Sequence, residues 1–580
     1  MNPACERNPE RRDFSSGSQD KVLTRTMSGR HFDVKGDCMS RTGTCLLVLV
    51  LIGFSLKAQT NKPATIPHLE KHGTATQLIV DGKPMLMLAG ETGNSSASDL
   101  KYLDEIWPKI EKMNLNSLLV PVYWELIEPG EGKFDFTLVD GAINGARKHN
   151  IKLVFLWFGT WKNSMSCYAP FWVKINQEKF PRARDAQGRA QEILTPFNNE
   201  NLNADKKVFS ELMKHIRMVD ADYHTVVMVQ VENEIGMIPD SRDHSKEADR
   251  AFNANVSAEL LQYLEKNKES LTPELRKAWG DRGFKTSGTW EEIFDKGPLT
   301  DELFMAWYFA KYTNAVAEAG KKEYTLPMYV NAALIRPGYK PGQYPSAGPL
   351  PHLFDVWKAA APAIDFLSPD LYFKNFAEWV TKYDRPGNPL FVPEASNAQS
   401  MANAFYAIGP LNAMGYSPFS IESLEHPENN QVTKAYDVLK QLTPLILANQ
   451  GKGTMTGALL DSANQKAELK LGDYVFTVSH EYSWPYATRA DGETPRFGCM
   501  IIMVSPNEYY IAGRGVIVTF QTVAGDGSIA GIGTMDEGRF VDGKWAPGLR
   551  MNGDQSHQGR HLNLNGNTFS IQKVQLYRYK

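Results

Sequence analysis

Cysteine is scarce in this chain. There are five in 580 residues, at positions 5, 38, 45, 167 and 499. Three fall near the N-terminus, so only Cys167 and Cys499 remain, and they could pair only if the fold brought them together. A disulfide-framed scaffold is excluded. The chain has no CxxC, no HExxH and no His/Cys cluster at zinc spacing, so it implies no metal and no other cofactor. Gly531-Ile532-Gly533 sits in a glycine-rich hairpin region with no helix after it, so it is not a nucleotide fingerprint. An excess of one charge is also missing. The formal net charge of -3 gives no reason to expect nucleic acid or an anionic membrane as partner.

What is present is an ordinary globular composition, 42% hydrophobic and 22% charged, over a length that suggests more than one domain. Residues 45–56 form a 12-residue apolar run behind Arg41, ending at Leu56-Lys57-Ala58. Crossing a bilayer takes about 20 residues. A short basic region, an apolar core and a small terminal residue fit a secretory signal over 39–58. Residues 1–38 are polar and aperiodic, and read as disordered or as a misassigned start. The mature chain is expected outside the cytoplasm, secreted or periplasmic, with no membrane attachment after cleavage.

From about 63 to 450 the pattern alternates strand and helix. The strands are read at 85–91, 116–123, 151–158, 226–231, 327–331, 364–372, 389–394 and 417–423. Helical spacing lies between them, at 100–113, 138–149 and 206–220, and a long insertion after the fourth strand carries helices near 256–266 and 301–319. Eight such strands predict an α/β fold, a (β/α)8 TIM barrel. Beyond Gly451-Lys452-Gly453 short strands and glycine turns take over, at 474–479, 500–504, 515–522 and 574–579. They predict a C-terminal β-sandwich-like domain over 453–580.

Two of the strand ends carry chemistry. Val226-Val227-Met228-Val229-Gln230-Val231 is an apolar, parallel-type strand that runs into Glu232-Asn233-Glu234, and Pro389-Leu390-Phe391-Val392-Pro393 runs into Glu394. Barrel enzymes place their reacting groups at the C-terminal ends of strands. Ends four and seven can face one another, and two opposed carboxyls are what glycoside cleavage requires. Glu394 is assigned as nucleophile and Glu234 as acid/base, with its proton held by burial and by the neighbouring charge. Asn233 is expected to meet the sugar 2-hydroxyl, and Glu232 another hydroxyl. Regular strand alternation cannot point 232, 233 and 234 the same way, so a bulge is expected there.

The remaining ring is drawn from the other strand ends: Glu91, Tyr123, Glu125, Trp161, Asn163, Asn331, Tyr372 and Glu422, with Asp370 beside Tyr372. Polar members are expected to contact sugar hydroxyls and aromatic ones to stack on sugar or fill the core. Tyr372 is expected to hydrogen-bond Glu394.

These residues resemble glycoside hydrolase family 35, the β-galactosidase family. Gln230-Val231-Glu232-Asn233-Glu234-Ile235-Gly236 is similar to its acid/base motif QxENEYG, with Ile235 where Tyr is common. Residues 124–136, WELIEPGEGKFDF, are similar to WNxHEPxxGxFDF, and Pro170-Phe171-Trp172-Val173 to PxWL. Where the family has an Ala-Glu-Trp segment after strand three, this chain has Gly159-Thr160-Trp161-Lys162-Asn163. The resemblance implies a bacterial branch with an extra C-terminal β-domain, and a retaining exo-β-galactosidase acting on oligo- or polysaccharides. Alternatives are a β-glycosidase for another sugar, a side-chain galactosidase for a plant polysaccharide such as xyloglucan, and a non-catalytic carbohydrate-binding protein. Oligomeric state is not legible.

Overall fold

The computed structural model describes residues 65–480 and 496–580. The expected signal segment and the extension before it lie outside the described residues. An antiparallel sheet of His68–His72, Ala75–Val80 and Lys83–Met85 opens the described chain and feeds directly into the barrel. Gln77 Nε2 donates to the Leu447 carbonyl at 2.7 Å, which ties this sheet to the end of the last barrel helix.

The barrel closes from eight parallel strands: β1 Met87–Glu91, β2 Ser117–Tyr123, β3 Lys152–Lys162, β4 Val226–Asn233, β5 Met328–Ala333, β6 Phe366–Leu371, β7 Val392–Ala395 and β8 Gly415–Pro418. Each strand pairs with its predecessor, and β8 returns to β1. The strands are buried nearly end to end, as their near-continuous apolar runs require of a sheet covered on both faces. The helices that follow in turn are α1 Leu100–Lys112, α2 Thr137–Lys148, α3 Asn199–Asp220, α4 Pro298–Glu323, α5 Phe354–Ala360, α6 Phe376–Tyr383, α7 Ala402–Ile408 and α8 Gln431–Asn449. Local chemistry sets their starts. The Asp99 carboxylate accepts from the Lys101 and Tyr102 N–H groups at the head of α1, and Asn198 does the same at α3.

Two expectations need correction. The helix read near 301–319 is not part of the insertion. It is α4, the barrel's own fourth helix, and the insertion is the four short helices between Lys246 and Phe294. That covering explains why α4 is buried on most sides and gave an insertion-like, weakly amphipathic pattern. The eighth strand ends at Pro418, and Glu422 lies in a one-turn helix, Ile421–Ser423, after a left-handed Ser420. Gly531 and Gly533 lie in a 13-residue strand that pairs antiparallel with the strand after it, the hairpin the sequence suggested.

The C-terminal strands are β9 Met455–Leu460, β10 Lys466–Leu471, β11 Tyr474–His480, β12 Phe497–Ser505, β13 Glu508–Arg514, β14 Val516–Thr522, β15 Ile529–Val541, β16 Lys544–Arg550, β17 His561–Leu564 and β18 Ser570–Tyr579. They form a six-stranded sheet, β9-β12-β13-β18-β15-β16, and a four-stranded sheet, β10-β11-β14-β17. The six-stranded sheet is covered on both faces. In β12 and β13, Cys499, Ile501, Tyr509 and Ile511 face the other sheet. Their alternates Met500, Ile502, Tyr510 and Ala512 belong to the barrel's own core. Phe569 stacks on Phe405 of α7, with ring centroids 5.1 Å apart. A Cβ on Gly409 would come within 2.8 Å of Met500 Cβ, so only glycine allows α7 to approach β12 this closely. Cys167 and Cys499 are both free and buried, and burial pushes each thiol up to about 12.

Phe569→Ala is expected to cost about 3 kcal/mol of stability, the usual penalty for emptying a buried aromatic site. Leu549→Ala, 70% exposed, should change little. Chemical denaturation of both variants checks this, and equal behaviour would mean the sheet–barrel contact carries no stability.

Candidate active site

At the end of β4 the backbone leaves regular strand geometry. Glu232 and Glu234 have φ of +62° and +44°. A side chain held in the left-handed region costs about 1–2 kcal/mol, and such strain concentrates at functional sites. The expected irregularity is therefore present, and β3 shares in it. The β3–β4 ladder jumps from Trp157–Val231 to Lys162–Asn233. The two left-handed residues send Glu232, Asn233 and Glu234 in different directions.

Glu234 is fixed by three neighbours. Its Oε2 accepts from Asn163 Nδ2, its N–H donates to Asn331 Oδ1 at 2.9 Å, and its carbonyl accepts from the Ser164 hydroxyl at 2.7 Å. The other end of the Asn331 amide donates to Asp370 Oδ2 at 2.7 Å, so Asn331 is a bracket between Glu234 and Asp370. Glu394, in β7, accepts from the Tyr372 hydroxyl as the sequence suggested. One oxygen from each of Glu234, Asp370 and Glu394 lies within 4.8 Å of the others.

Burial and then the charge of Glu234 push Glu394 up to about 7, against the opposing pull of Lys162 and the Tyr372 hydroxyl. Asp370 and Glu91 are pushed well above the usual carboxylate range, by burial first and by Glu394 next. Carboxyls this close cannot all ionise at neutral pH, so the cluster retains protons there. The trio is the one group among the described residues spaced to hold a metal ion, but an ion would have to sit beside the Lys162 charge, which acts on both Glu91 and Glu394.

The rest of the predicted ring divides. Asn233 is fully buried, and both its amide atoms lack a partner among the described residues. Glu91 also keeps one unpartnered buried oxygen. Glu422 approaches the site from beyond β8, where its Oε1 accepts from the Gly93 N–H at 2.8 Å and the Ser96 hydroxyl at 2.5 Å. Tyr123 is buried against Tyr168 and Phe158. Glu125 lies in the one-turn helix Trp124–Ile127 after β2 and pairs with Lys174 at 3.5 Å.

Two expectations fail. Trp161 offers no face to a sugar, because its ring is fully buried edge-on against Phe309 and Tyr312 of α4, with centroids 5.1 and 4.6 Å away. Glu232 offers nothing to a hydroxyl. It is fully buried, with Oε2 accepting from the Trp161 N–H at 2.8 Å and its carboxyl set against Asp205 of α3 and the Thr160 backbone. Asp205 in turn accepts from Trp157 Nε1, the Thr160 hydroxyl and the Tyr312 hydroxyl at 3.0, 2.7 and 3.2 Å. Burial and the Asp205 charge push Glu232 well above the usual range, so this pair shares a proton beneath the site.

The sequence reading missed Lys162 and Asp205. Lys162 gave a signal, a cation directly after a buried strand and between two residues already singled out. Asp205 gave none, because beside Lys206 and Lys207 it reads as an exposed helix face.

Comparison with known proteins adds two family models. One described as "Beta-galactosidase", of glycoside hydrolase family 42 type, matches residues 98–318, and one described as "Domain of unknown function (DUF5597)" matches residues 432–563. A β-galactosidase of Xanthomonas manihotis is 27% identical over 220 residues, which is 36% of this chain and 33% of that protein. Solved structures similar to this one include β-galactosidases from the psychrophilic Marinomonas ef1 and from Rahnella sp. R3. They are 14% and 16% identical, cover 63% and 62% of this chain and 60% and 57% of theirs, and each has a TM-score of 0.42. At these scores the barrel assignment rests on the strand order itself.

Glu232 binds a proton in the folded state that the unfolded chain releases above about pH 4.5. Its raised value therefore stabilises the fold most at low pH, and that contribution is lost as pH rises from there toward the folded value. Glu232→Gln keeps the bond from the Trp161 N–H without this dependence. Its melting temperature should gain on that of the wild type as pH rises from 5 to 8, and a constant difference would show that the pair does not share a proton.

Proposed function

We propose that this protein is a retaining exo-β-glycosidase that removes terminal β-D-galactosyl residues from oligo- or polysaccharides. The observation that carries the reading is the opposition of Glu234 and Glu394, at the ends of β4 and β7, with carboxylate oxygens within 4.8 Å. Retaining enzymes hold their two carboxyls roughly 5–5.5 Å apart, and inverting ones leave about 6.5–9.5 Å for a water. The β-galactosidase model over residues 98–318 supports the reaction class, and the motif at 230–236 supports the finer placement in family 35.

In this mechanism Glu394 attacks the anomeric carbon and the aglycone oxygen leaves with the proton of Glu234. Glu234 then takes a proton from water, whose oxygen displaces Glu394. The Tyr372 hydroxyl and the Lys162 charge both favour the ionised form of Glu394, against the burial and the Glu234 charge that raise it. Asn163 holds the Glu234 carboxyl, and the Asn331 bracket holds its backbone. The unpartnered Asn233 amide is suited to the sugar 2-hydroxyl, a contact that strengthens in the transition state. Glu91 and Lys162, adjacent and both buried, would read hydroxyls further round the ring. Lys162-Asn163, where the resembling family has an acidic segment, favours a galactoside carrying a specific aglycone, such as a polysaccharide side chain, as second reading. Secretion, resting on Arg41 and the apolar run at 45–56, belongs to the same proposal.

Turnover of aryl β-glycosides by the mature chain is expected to be best for the galactoside, with the β-anomer formed first by NMR. Glu394→Gln and Glu234→Gln should each lose on the order of 10³-fold or more in kcat. An α-anomer as first product, or near wild-type turnover in Glu394→Gln, would overturn the retaining assignment. Silence across aryl glycosides and xyloglucan oligosaccharides would overturn the glycosidase reading.

A further inference from the structure

Arg496 belongs to the C-terminal sheets, one residue before β12, yet its guanidinium reaches the mouth of the barrel. Nη1 donates to Gln399 Oε1 at 2.7 Å and to Asn403 Oδ1 at 3.3 Å, and Nη2 donates to the Lys374 carbonyl. Gln399 Nε2 passes the hold onward, donating to the Tyr372 carbonyl at 2.8 Å and the Phe373 carbonyl at 3.2 Å. Three consecutive carbonyls, of residues 372–374, are thus gripped by one fork and its relay. Tyr372 is 42% exposed, so little packing holds it, and yet its hydroxyl must stay on Glu394. Among the described residues Arg496 forms no ion pair, and its acceptors are all neutral amide oxygens. A planar guanidinium suits such a task, because it presents several donors in a rigid plane where an ammonium is a single point.

We propose that Arg496 is a positioning residue for catalysis: from the C-terminal sheets it fixes the 372–374 loop, so that Tyr372 remains bonded to the nucleophile Glu394. The inference rests on the glycosidase reading. It gives the C-terminal sheets a part in the chemistry rather than a separate binding role.

A double-mutant cycle in the full-length chain tests it. Arg496→Gln and Gln399→Ala are each expected to lower kcat on an aryl β-galactoside about tenfold, roughly what one lost hydrogen bond is worth. Each should also move the acid limb of kcat/KM to higher pH, as Tyr372→Phe itself should, because Glu394 loses a donor. The other groups facing Glu394 stay in place in these variants: Glu234 from β4, Glu91 from β1, Asp370 from β6 and Lys162 from β3. In a Tyr372→Phe background Arg496→Gln should bring no further loss. Arg550→Gln, at an exposed arginine that pairs with Asp536 far from this network, is the control with unchanged turnover.

Additive losses in the double variant, or an unmoved acid limb, would overturn the proposal and leave Arg496 a latch between sheet and barrel. Amide hydrogen exchange across residues 372–375 gives a readout that needs no turnover, and it should quicken in Arg496→Gln and Gln399→Ala. If the wild type cleaves no glycoside, the glycosidase reading falls by itself. Unchanged exchange would overturn the positioning role in either case.

Discussion

Repulsion among buried carboxyls is the constraint around which this molecule is arranged. Glu91, Glu234, Asp370 and Glu394 meet where four strands end, largely buried from bulk water. Unopposed, such a cluster would swell or protonate completely. It is kept compact by one buried cation, Lys162, by a phenol on Glu394, and by one asparagine amide on Glu234 and another on Asp370. The groups that contain the repulsion are also the ones that decide which carboxyl is charged, so holding the site together and readying it for reaction are one physical task.

The left-handed backbone at Glu232 and Glu234 follows from the same constraint. A regular strand would send both of these glutamates to one side of the sheet. The twist at each turns Glu232 down toward Asp205 and frees Glu234 for the mouth. The buried Glu232–Asp205 pair below holds the Trp161 N–H, and with it the irregular end of β3 that delivers Lys162 and Asn163. The conformational cost is distributed over two strands and a helix.

Much of this was legible in the sequence because parallel strands announce themselves. Runs such as residues 226–231 have to be buried on both faces, and a polar residue directly after one has few places to go but the mouth. That argument picked out Glu234, Glu394, Glu91 and Tyr372, which the fold does bring together, and Asn233 between them in sequence. It failed where direction rather than position mattered. Trp161 and Glu232 sit at the expected height on the barrel but face its wall, because a left-handed residue and a four-residue bulge turned them, and neither leaves a mark in composition. It failed again for Asp205, whose partners come from other elements. In the C-terminal half, alternation in residues 499–502 was hidden because both faces of that sheet are apolar, one turned to its partner sheet and one to the barrel.

The two buried thiols draw a last consequence from that architecture. Cys167 lies in the excursion after β3 and Cys499 between the two C-terminal sheets, each with a thiol pushed to about 12 and thus almost wholly in its unreactive form. Neither meets a reagent until its own surroundings part. The rate at which each sulfur is alkylated under native conditions is therefore a clock for local opening, one on each half of the molecule. Because barrel and sheet share one core, the relative pace of the two clocks would report whether these halves open together or one at a time.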